Sequence, residues 1–344
     1  MAKIEDLKEE AKKLLRDGKV KYIIGYGAGT NGWPAAPLFV KTPEEVDQFV
    51  WDPTCVHNLV RFLVDEKRRK ARQKQPDKRP VGIVVKGCDS RAIVVLLKEK
   101  FIERGDVFIL GVSCEKAGVV DDAKLIKKLG GKKAKKVEIN AQNRFVVTTD
   151  NGQIEAAAEE LLAERCLECK ANFPVIYDLL SGEKTKRPLD KPFGSVEKIE
   201  SMSSEERWAF WKAQLDKCIR CYACRSACPM CYCEECVVDS INLAVTADTT
   251  ADEKAQRIRW IQRSADSSEN LVYHLVRAMH LAGRCIDCGE CERVCPLDIP
   301  LRFLNKKLEK EAKEVFGYEV GFDAALPALV SCFRDEDKIG RAHV

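Results

Sequence analysis

Histidine is scarce in this sequence of 344 residues, and long apolar runs are missing. There are 4 histidines against 17 cysteines, and a sulfur-rich, imidazole-poor composition favours iron–sulfur centres over catalytic zinc. No apolar run approaches the roughly 18 residues that a membrane-spanning helix needs. The opening stretch, MAKIEDLKEEAKKLL, is charged and amphipathic and lacks the apolar centre of a signal peptide. We therefore predict a cytoplasmic protein whose cysteines serve as thiolate ligands or catalysts rather than as disulfides.

Charge of one sign is not in large excess either. The net charge of +4 is too small to indicate nucleic-acid binding by itself. The strongest charged run, KRRKARQKQPDKRP at 67–80, is interpreted as a solvated helix end and loop, and the alternative is a docking surface for an acidic redox partner. Aromatic residues do not interleave with these charges, so nucleic acid is not an expected partner. His57, His274 and His280 lack the spacing of a paired site and are expected to pack or to lie at the surface.

The length predicts at least two domains. Residues 1–182 carry strand and helix patterns in alternation, which predicts an α/β domain with a mixed or parallel sheet. Residues 183–203 are rich in Lys, Pro, Gly and Ser and are interpreted as the interdomain linker. A mostly helical domain is predicted over 204–310, followed by a C-terminal helix and tail over 311–344.

Local patterns predict the elements that carry the candidate sites. Strands are expected at 20–26, 79–88 and 106–114, helices at 42–52, 55–74, 89–101, 154–172 and 252–284, and a hairpin at 137–152. Thr42 is the expected N-cap of the helix at 42–52. In the helix at 252–284, Leu271, Val272, Leu275, Val276 and Met279 keep one face and Gly283 ends it.

The segment GAGTNG at 27–32 matches the dinucleotide-binding pattern G-x-G-x-x-G letter for letter. That pattern must open a helix, whereas Pro34 and Pro37 follow here and oppose one. A Gly-rich turn that approaches a ligand is therefore favoured over a dinucleotide-binding fold.

Two copies of the pattern C-x2-C-x2-C-x3-C-P dominate the C-terminal half. The first comprises Cys218, Cys221, Cys224 and Cys228, and the second comprises Cys285, Cys288, Cys291 and Cys295. Three closely spaced thiolates hold three corners of one [4Fe–4S] cluster, and the fourth cysteine reaches the other cluster. One cluster is thus assigned to Cys218, Cys221, Cys224 and Cys295, and the other to Cys285, Cys288, Cys291 and Cys228. Paired zinc ribbons are the alternative, against which the third cysteine and the Cys-Pro ending argue. The helical stretch between the copies resembles the α-helical ferredoxin domains of quinone- and heterodisulfide-reductase-type complexes.

Four further cysteines are scattered along the first half of the chain. Cys88 and Cys114 each follow a predicted strand, and the carboxyl ends of parallel strands gather at one edge of a sheet. A C-x2-C pair, Cys166 and Cys169, could meet them there and complete the ligands of a third [4Fe–4S] cluster. Isolated buried thiols are the alternative.

Three blocks, VVKGCDSRAI, ILGVSCEKAG and CLECKANFPVIYDLLSGE, resemble successive blocks of the beta subunits of coenzyme F420-reducing hydrogenases and dehydrogenases. YIIGYGAG and TPEEVDQF are also similar, and the resemblance covers roughly residues 20 to 182. It implies that Cys88, Cys114, Cys166 and Cys169 ligate a [4Fe–4S] cluster and that the domain binds FAD and exchanges electrons with a deazaflavin. For FAD, Gly27, Gly29, Thr30 and Asn31 would supply backbone amides near phosphate, and Lys86, Asp89 and Arg91 would supply the remaining contacts. For Asp89 and Arg91 the alternative is a helix cap and a surface charge.

Three cysteines, Cys231, Cys233 and Cys236, remain beside the first ferredoxin motif. They predict either a further iron–sulfur centre, with Cys332, Cys55 or a partner chain as fourth ligand, or structural thiols that tune the neighbouring cluster. By themselves, Cys55 and Cys332 are expected to be plain buried thiols.

The cysteine patterns and the resemblance together predict an electron-transfer subunit of a multi-subunit oxidoreductase. It would relay electrons between a flavin, deazaflavin or partner site and a catalytic subunit. The resemblance implies that this subunit is of the formate dehydrogenase, hydrogenase or heterodisulfide-reductase kind, in anaerobic metabolism. The rival hypothesis is a non-catalytic iron–sulfur scaffold or redox sensor without flavin.

Overall fold

The computed structural model describes residues 4–30, 34–114, 118–184, 189, 191–234, 236, 238, 248, 250–252, 261 and 264–332. The chain divides into two compact units, both of which are discontinuous in sequence. Unit 1 comprises Met1–Pro192, Ile286–Cys288 and Glu319–Cys332, and unit 2 comprises Phe193–Cys285, Gly289–Tyr318 and Phe333–Val344.

Unit 1 contains both strands and helices, whereas the described part of unit 2 is helical. The strands are β1 (Ile23–Gly27), β2 (Ala36–Val40), β3 (Val81–Val85), β4 (Val107–Val112), β5 (Ala134–Ile139), β6 (Arg144–Thr149), β7 (Gly152–Ala157) and β8 (Leu179–Ser181). The helices of unit 1 are α1 (Ile4–Arg16), α2 (Arg61–Ala71), α3 (Gly87–Lys98), α4 (Asp122–Leu129), α5 (Ala158–Leu161) and α6 (Glu164–Leu167). Those of unit 2 are α7 (Gly194–Glu200), α8 (Ser204–Leu215), α9 (Ala223–Ala227), α10 (Ser267–Leu281), α11 (Glu290–Arg293) and α12 (Leu301–Phe316).

A five-stranded mixed sheet forms the centre of unit 1, in the order β2-β1-β3-β4-β8. β2 runs antiparallel to β1, and the other neighbours are parallel. The sequence VGIVV of β3 is buried along its whole length, as expected of a central strand that is covered on both faces. α1 packs Leu7, Ala11 and Leu14, which recur at helical spacing, into the same apolar cluster as Ile23 and Val84. The predicted α/β architecture is confirmed.

β1 is followed by the antiparallel strand β2 rather than by a helix. The G-x-G-x-x-G match therefore does not form a dinucleotide-binding turn, in agreement with the two prolines that follow it. The side chain of Phe49 fills the space beside β1, where a Cβ on Gly25 would lie 2.6 Å from its ring.

A second, antiparallel sheet in unit 1 has the order β5-β6-β7. The sequence predicted only a hairpin here, with a long helix over 154–172. That prediction is wrong, because residues 152–157 extend along β6, with Ile154 opposite Val147, and alternate residues Ile154 and Ala156 face the apolar cluster. Helical structure in this stretch is limited to the single turns α5 and α6.

The predicted α-helix at 42–52 is also wrong, since only the 3-10 turn Glu44–Gln48 forms, with Pro43 rather than Thr42 preceding it. The carboxylate of Glu45 accepts hydrogen bonds from the backbone amides of Lys41 and Thr42, at 2.6 and 3.1 Å, and so holds a tight turn.

The segment interpreted as a linker at 183–203 is partly helical, because it contains α7. Glu200 at the end of α7 forms ion pairs with Lys307 and Lys310 of α12, which ties this helix into unit 2. The helix α8 begins with a capping box, in which the Ser203 hydroxyl accepts from the Glu206 amide and the Glu206 carboxylate accepts from the Ser203 amide.

The described part of the predicted helix at 252–284 is α10, while residues 253–260, 262 and 263 lie outside the described residues. Gly283 follows it in the left-handed conformation, with φ of +67°, as expected of a helix end. The apolar face is not the buried one. Val272, Leu275 and Met279 are 40, 53 and 60% exposed, whereas Asn270, Tyr273, His274 and Arg277 are buried. Only Leu271 and Val276 of the indicated face pack against the core of unit 2.

Among the residues that the structure describes, no helix combines the length and the apolar character that crossing a membrane requires.

Candidate iron–sulfur sites

Four cysteines that lie far apart in the sequence line one cavity in unit 1: Cys88, Cys114, Cys166 and Cys169. Cys114 lies just beyond β4, Cys166 lies in α6, and Cys169 follows that helix. Cys88 lies in the first turn of α3, which begins shortly after β3. The structure therefore brings together the four thiols that the resemblance implies as ligands of a third cluster.

The parallel pairing of β3 and β4 brings Cys88 and Cys114 to the same edge of the sheet. Val85 at the end of β3 lies opposite Gly111 of β4, so both chains leave the sheet on the same side. This is the edge at which α/β sheets bind their ligands.

Close backbone packing joins the strand ends to the C-x2-C segment. A Cβ on Gly87 would lie 1.8 Å from the carbonyl oxygen of Ala171, so only glycine allows α3 to begin this close to the chain after Cys169. The backbone amide of Cys114 donates to the carbonyl of Asn172 at 2.7 Å. These two contacts fix Cys88, Cys114 and Cys169 relative to one another.

Cys166 is held by a similar close approach. Gly118 adopts φ of +126°, and a Cβ there would lie 2.7 Å from the sulfur of Cys166. The amide of Val119 lies 3.5 Å from the same sulfur and donates an N–H···S hydrogen bond, an interaction that tunes cluster potentials.

The surroundings of the four thiols are cationic. The cavity is lined by Lys86, Arg91, Arg165 and Lys170 against the acids Glu168 and Asp287. Burial, with Cys166 and Cys169 nearby, raises the pKa of Cys114 to about 12, and burial and Asp89 raise the pKa of Cys88 well above its ordinary value. Such buried thiols ionise only with compensating positive charge, which iron and the surrounding cations supply. The donor set thus fits a [4Fe–4S] cluster.

The polar atoms of Lys86 and Asp89 are engaged within the protein. The Nζ atom of Lys86 donates to the carbonyl of His57 at 2.7 Å, contacts the Tyr26 hydroxyl and pairs with Asp89 at 3.0 Å. Burial opposes the charge of Lys86, yet Asp89, Tyr26 and Cys88 hold its pKa well above the ordinary value. The carboxylate of Asp89 accepts from the Lys86 amide at 3.0 Å, which is the helix cap that the alternative interpretation gave.

Arg91 is buried and is not a surface charge. Its Nε atom donates to the carbonyl of Val320 at 2.9 Å and its Nη1 atom to that of Ile286 at 3.2 Å, with the Phe322 ring 4.6 Å from the guanidinium carbon. Gly27 is part of β1, Gly29 and Thr30 lie beyond the strand, and Asn31 lies outside the described residues. Because their polar atoms bind within the protein, Lys86, Asp89 and Arg91 do not fit the remaining contacts to FAD that were expected of them.

The two ferredoxin motifs share an unusual backbone geometry. Arg220 and Tyr222 in the first motif have φ of 56 and 60°, and Asp287 and Gly289, at the same positions of the second, have φ of 57 and 68°. Non-glycine residues rarely adopt this left-handed conformation, so its repetition indicates that both motifs wrap in the same way. A short helix follows each time, α9 and α11 respectively.

Cysteines of both motifs enter the apolar core of unit 2. Cys224 and Cys291 are buried in it, and Cys218 and Cys295 pack against it. Cys295, the proposed fourth ligand of the first cluster, therefore joins the same apolar cluster as Cys218 and Cys224. The amide of Arg220 lies 3.4 Å from the sulfur of Cys218 and donates to it.

The sequence did not predict that polar side chains lie beside these cysteines. The Tyr273 hydroxyl lies 3.6 Å from the Cys224 sulfur, and the Nδ2 atom of Asn305 lies 3.8 Å from the Cys291 sulfur. Asn270, Tyr273 and Arg277 recur at helical spacing in α10, and this periodicity was the available signal.

The three remaining cysteines have different environments. Cys231 is partly buried, and its contact with Cys228 together with burial raises the pKa of Cys231. Cys236 packs against the core of unit 2, whereas Cys233 is exposed. Cys55 is buried, as expected, and its sulfur lies 3.8 Å from the carbonyl of Val50. Cys332 is exposed, which corrects the expectation of a buried thiol.

Within the described ranges, no group of three or more His, Cys, Asp or Glu side chains is spaced to hold a single metal ion. A [4Fe–4S] cluster has four separate iron atoms, so its thiolates stand further apart than the ligands of one ion.

The histidines have the packing or surface roles that were expected. His274 is buried, and burial, together with Arg277 and Arg220, lowers its pKa to about 3, while His280 is exposed.

In the charged run at 67–80, Arg69 pairs with Glu66 at 2.7 Å and Lys70 with Asp106 at 2.8 Å. Because Arg69 and Lys70 are already paired within unit 1, fewer cations of this run remain for an acidic partner. The pairing therefore agrees with the interpretation as a solvated helix end and loop.

Four cysteines around one cavity of the α/β unit, in the same chain as two ferredoxin motifs, define an iron–sulfur electron-transfer protein. Residues 214–299 match the model of the 4Fe-4S dicluster domain, so the two predicted clusters are supported.

The chain is also similar to two curated proteins along nearly its whole length, which confirms the resemblance seen in the sequence. It is 24% identical to the F420-dependent formate dehydrogenase subunit beta of Methanocaldococcus jannaschii, over 94% of this chain and 93% of that protein. It is 25% identical to the F420-dependent formate dehydrogenase 1 subunit beta of Methanococcus maripaludis, over 92 and 91%. A chain of the F420-reducing [NiFe] hydrogenase complex from Methanosarcina barkeri matches with a TM-score of 0.36 and 18% identity, over 49% of this chain and 63% of that one.

Proposed function

We propose that this chain is the electron-transferring beta subunit of an oxidoreductase complex that couples formate oxidation to coenzyme F420. The single observation that carries the proposal is the convergence of Cys88, Cys114, Cys166 and Cys169 on one cavity in the same chain as a dicluster domain. Two relatives named as beta subunits of F420-dependent formate dehydrogenase, similar over almost their full length, support the choice of reaction.

Three ligand sets would hold the clusters. The first two are Cys218, Cys221, Cys224 and Cys295, and Cys285, Cys288, Cys291 and Cys228. The third is Cys88, Cys114, Cys166 and Cys169. A [4Fe–4S] cluster supplies one-electron transfer when it is bound. The protein's part is to bury these sulfurs, to surround them with cations and N–H donors, and to keep water from them.

The alternative is an iron–sulfur scaffold or redox sensor without flavin. It is favoured by the internal contacts of Lys86, Asp89 and Arg91, because the polar atoms that were expected to contact FAD bind within the protein instead. Hydrogenase and heterodisulfide-reductase modules remain alternative partners of the complex.

Iron, sulfide, zinc and flavin counted per chain in anaerobically purified protein test the proposal. We expect about twelve irons, from three sets of four, and no zinc. About sixteen would add a centre at Cys231, Cys233 and Cys236, and released FAD would exclude the flavin-free alternative. An iron-free protein that stays folded would contradict the proposal as a whole.

A matched pair of substitutions isolates the third site. Cys114→Ser is expected to lower the count to about eight irons, because one ligand of four is lost, while Cys332→Ser keeps about twelve, since its thiol is exposed and lies outside the cavity. Equal iron in both variants would remove the third site from the proposal.

A further inference from the structure

One polar side chain per turn of α10 reaches the first ferredoxin motif. The Nδ2 atom of Asn270 donates to the carbonyl of Cys218 at 2.8 Å, and the Tyr273 hydroxyl lies 3.6 Å from the Cys224 sulfur. One turn further on, the Nη2 atom of Arg277 donates to the carbonyl of Cys224 at 3.1 Å. The inward face of α10 is therefore built to contact the ligand segment.

Arg277 differs from its neighbours because it carries a full charge into the interior, with only 4% of the residue exposed. Its hydrogen bond to the carbonyl of Cys224 places it against the core of unit 2, in which Cys224 of the first motif and Cys291 of the second are both buried. Burial disfavours the guanidinium charge, yet the nearby thiols, Cys231 and Cys224 first among them, hold the pKa of Arg277 well above its ordinary value. The cation is thus buried at the core that ligand residues of both motifs share.

The donors of Arg277 are only partly used by the chain. Its Nε atom is buried and has no hydrogen-bond partner among the described residues. A buried cation with an unused donor is costly unless negative charge lies close to it. Thiolates and the sulfide of bound clusters supply such charge and such acceptors.

We propose that Arg277 is a positioning residue shared by both [4Fe–4S] clusters of the dicluster domain, and that its buried charge raises both reduction potentials together. The proposal rests on the cluster assignment made above, in which Cys224 binds one cluster and Cys228 and Cys291 bind the other. Reduction adds one electron, and hence one negative charge, to each cluster. A cation buried beside both stabilises both reduced forms.

The test is a dithionite titration of the full-length, iron-loaded protein with redox mediators, followed by electron paramagnetic resonance. Arg277→Gln removes the charge and keeps a hydrogen-bond donor, and Arg277→Lys keeps the charge. Lys217→Gln is the matched control, since it removes an exposed cation next to Cys218. For Arg277→Gln, we expect the ratio of reduced to oxidised cluster at a fixed potential to fall at least tenfold at both clusters, which is about 59 mV for a one-electron couple.

For Arg277→Lys, we expect the ratio of reduced to oxidised cluster at a fixed potential to stay within threefold of the wild-type ratio at both clusters. We expect the same of Lys217→Gln, because solvent screens the charge of Lys217. Arg277→Gln with full iron and unchanged potentials would overturn the inference, as would a shift at one cluster alone. Arg277→Gln could also fail to hold iron. In that case, a shared cation is supported if this variant loses both clusters while Arg277→Lys keeps both. The inference is overturned if Arg277→Gln loses only one cluster. Wild-type protein without iron would instead refute the proposed function, so the two failures are distinguishable.

Discussion

Glu66 illustrates at the scale of one residue how unit 1 buries a charge. Its carboxylate accepts from the Tyr22 hydroxyl at 2.7 Å, from Arg69 at 2.7 and 2.9 Å, and from Lys21. Burial by itself would raise its pKa, but these donors together hold the pKa below its ordinary value. The ionised form is therefore the one that stabilises the fold.

This carboxylate gives a prediction of pH dependence. Because its folded-state pKa lies below the unfolded value of about 4.3, its contribution is complete above that pH and is lost as the pH falls through the folded-state pKa. The difference in unfolding free energy between wild type and Glu66→Gln should be largest at pH 7 and should shrink below about pH 4. Urea unfolding across this range measures it, and a difference independent of pH would contradict the assignment.

Gly87 gives a second prediction for a single residue. Gly87→Ala would place a Cβ 1.8 Å from the Ala171 carbonyl and so separate Cys88 from Cys169. We expect this variant to lose about four of twelve irons. Gly105→Ala is the matched control, because a Cβ there meets nothing within 4 Å. Full iron in Gly87→Ala would show that the cavity does not depend on this close approach.

At the scale of elements, α10 departs from the usual rule that a helix buries its apolar face. Leu275 is 53% exposed and Leu281 only 3% exposed on the same helix. We expect Leu275→Ala to change the unfolding free energy by less than about 0.5 kcal/mol and Leu281→Ala to cost about 2–5 kcal/mol. Chemical unfolding of the two variants compares them directly. Similar costs would mean that Leu275 is covered in the folded protein.

Strands such as β3 and β4, the helix α3 and the two ferredoxin motifs could be predicted, because their signals are local. The strand β7 could not, since AAAEELLAER has high helix propensity and the competing pairing with β6 is a contact made by the fold. The inward face of α10 was hidden for a related reason. Its polar residues are matched by cysteines from distant parts of the sequence, which hydrophobic periodicity does not report.

The same limit applies to the sites. Eight candidate ligands were predicted from spacing alone. The convergence of Cys88, Cys114, Cys166 and Cys169 was predicted from strand ends and from the resemblance, and it depends on the parallel order of β3 and β4, which spacing does not report. The roles of Lys86 and Arg91 were not predictable, because their partners are carbonyl groups that a sequence does not identify.

For the molecule as a whole, the important feature is that unit 1 takes segments from three parts of the chain. Val320 accepts from the Nε atom of Arg91, and a Cβ on Gly321 would lie 2.7 Å from the Arg91 carbonyl oxygen. We expect a fragment of residues 1–192 to unfold at a lower urea concentration than unit 1 does in the full chain, because Arg91 loses these contacts. Equal midpoints for the fragment and the full chain would contradict this.

The returning segments also fix an order of events during synthesis. A ribosome completes all four cysteines of the Cys88 cavity long before it delivers Ile286 and Asp287, which also line that cavity, and Glu319–Cys332 emerges later still. Until residue 287 has been made, the cavity therefore lacks the part of its wall that Ile286 and Asp287 provide.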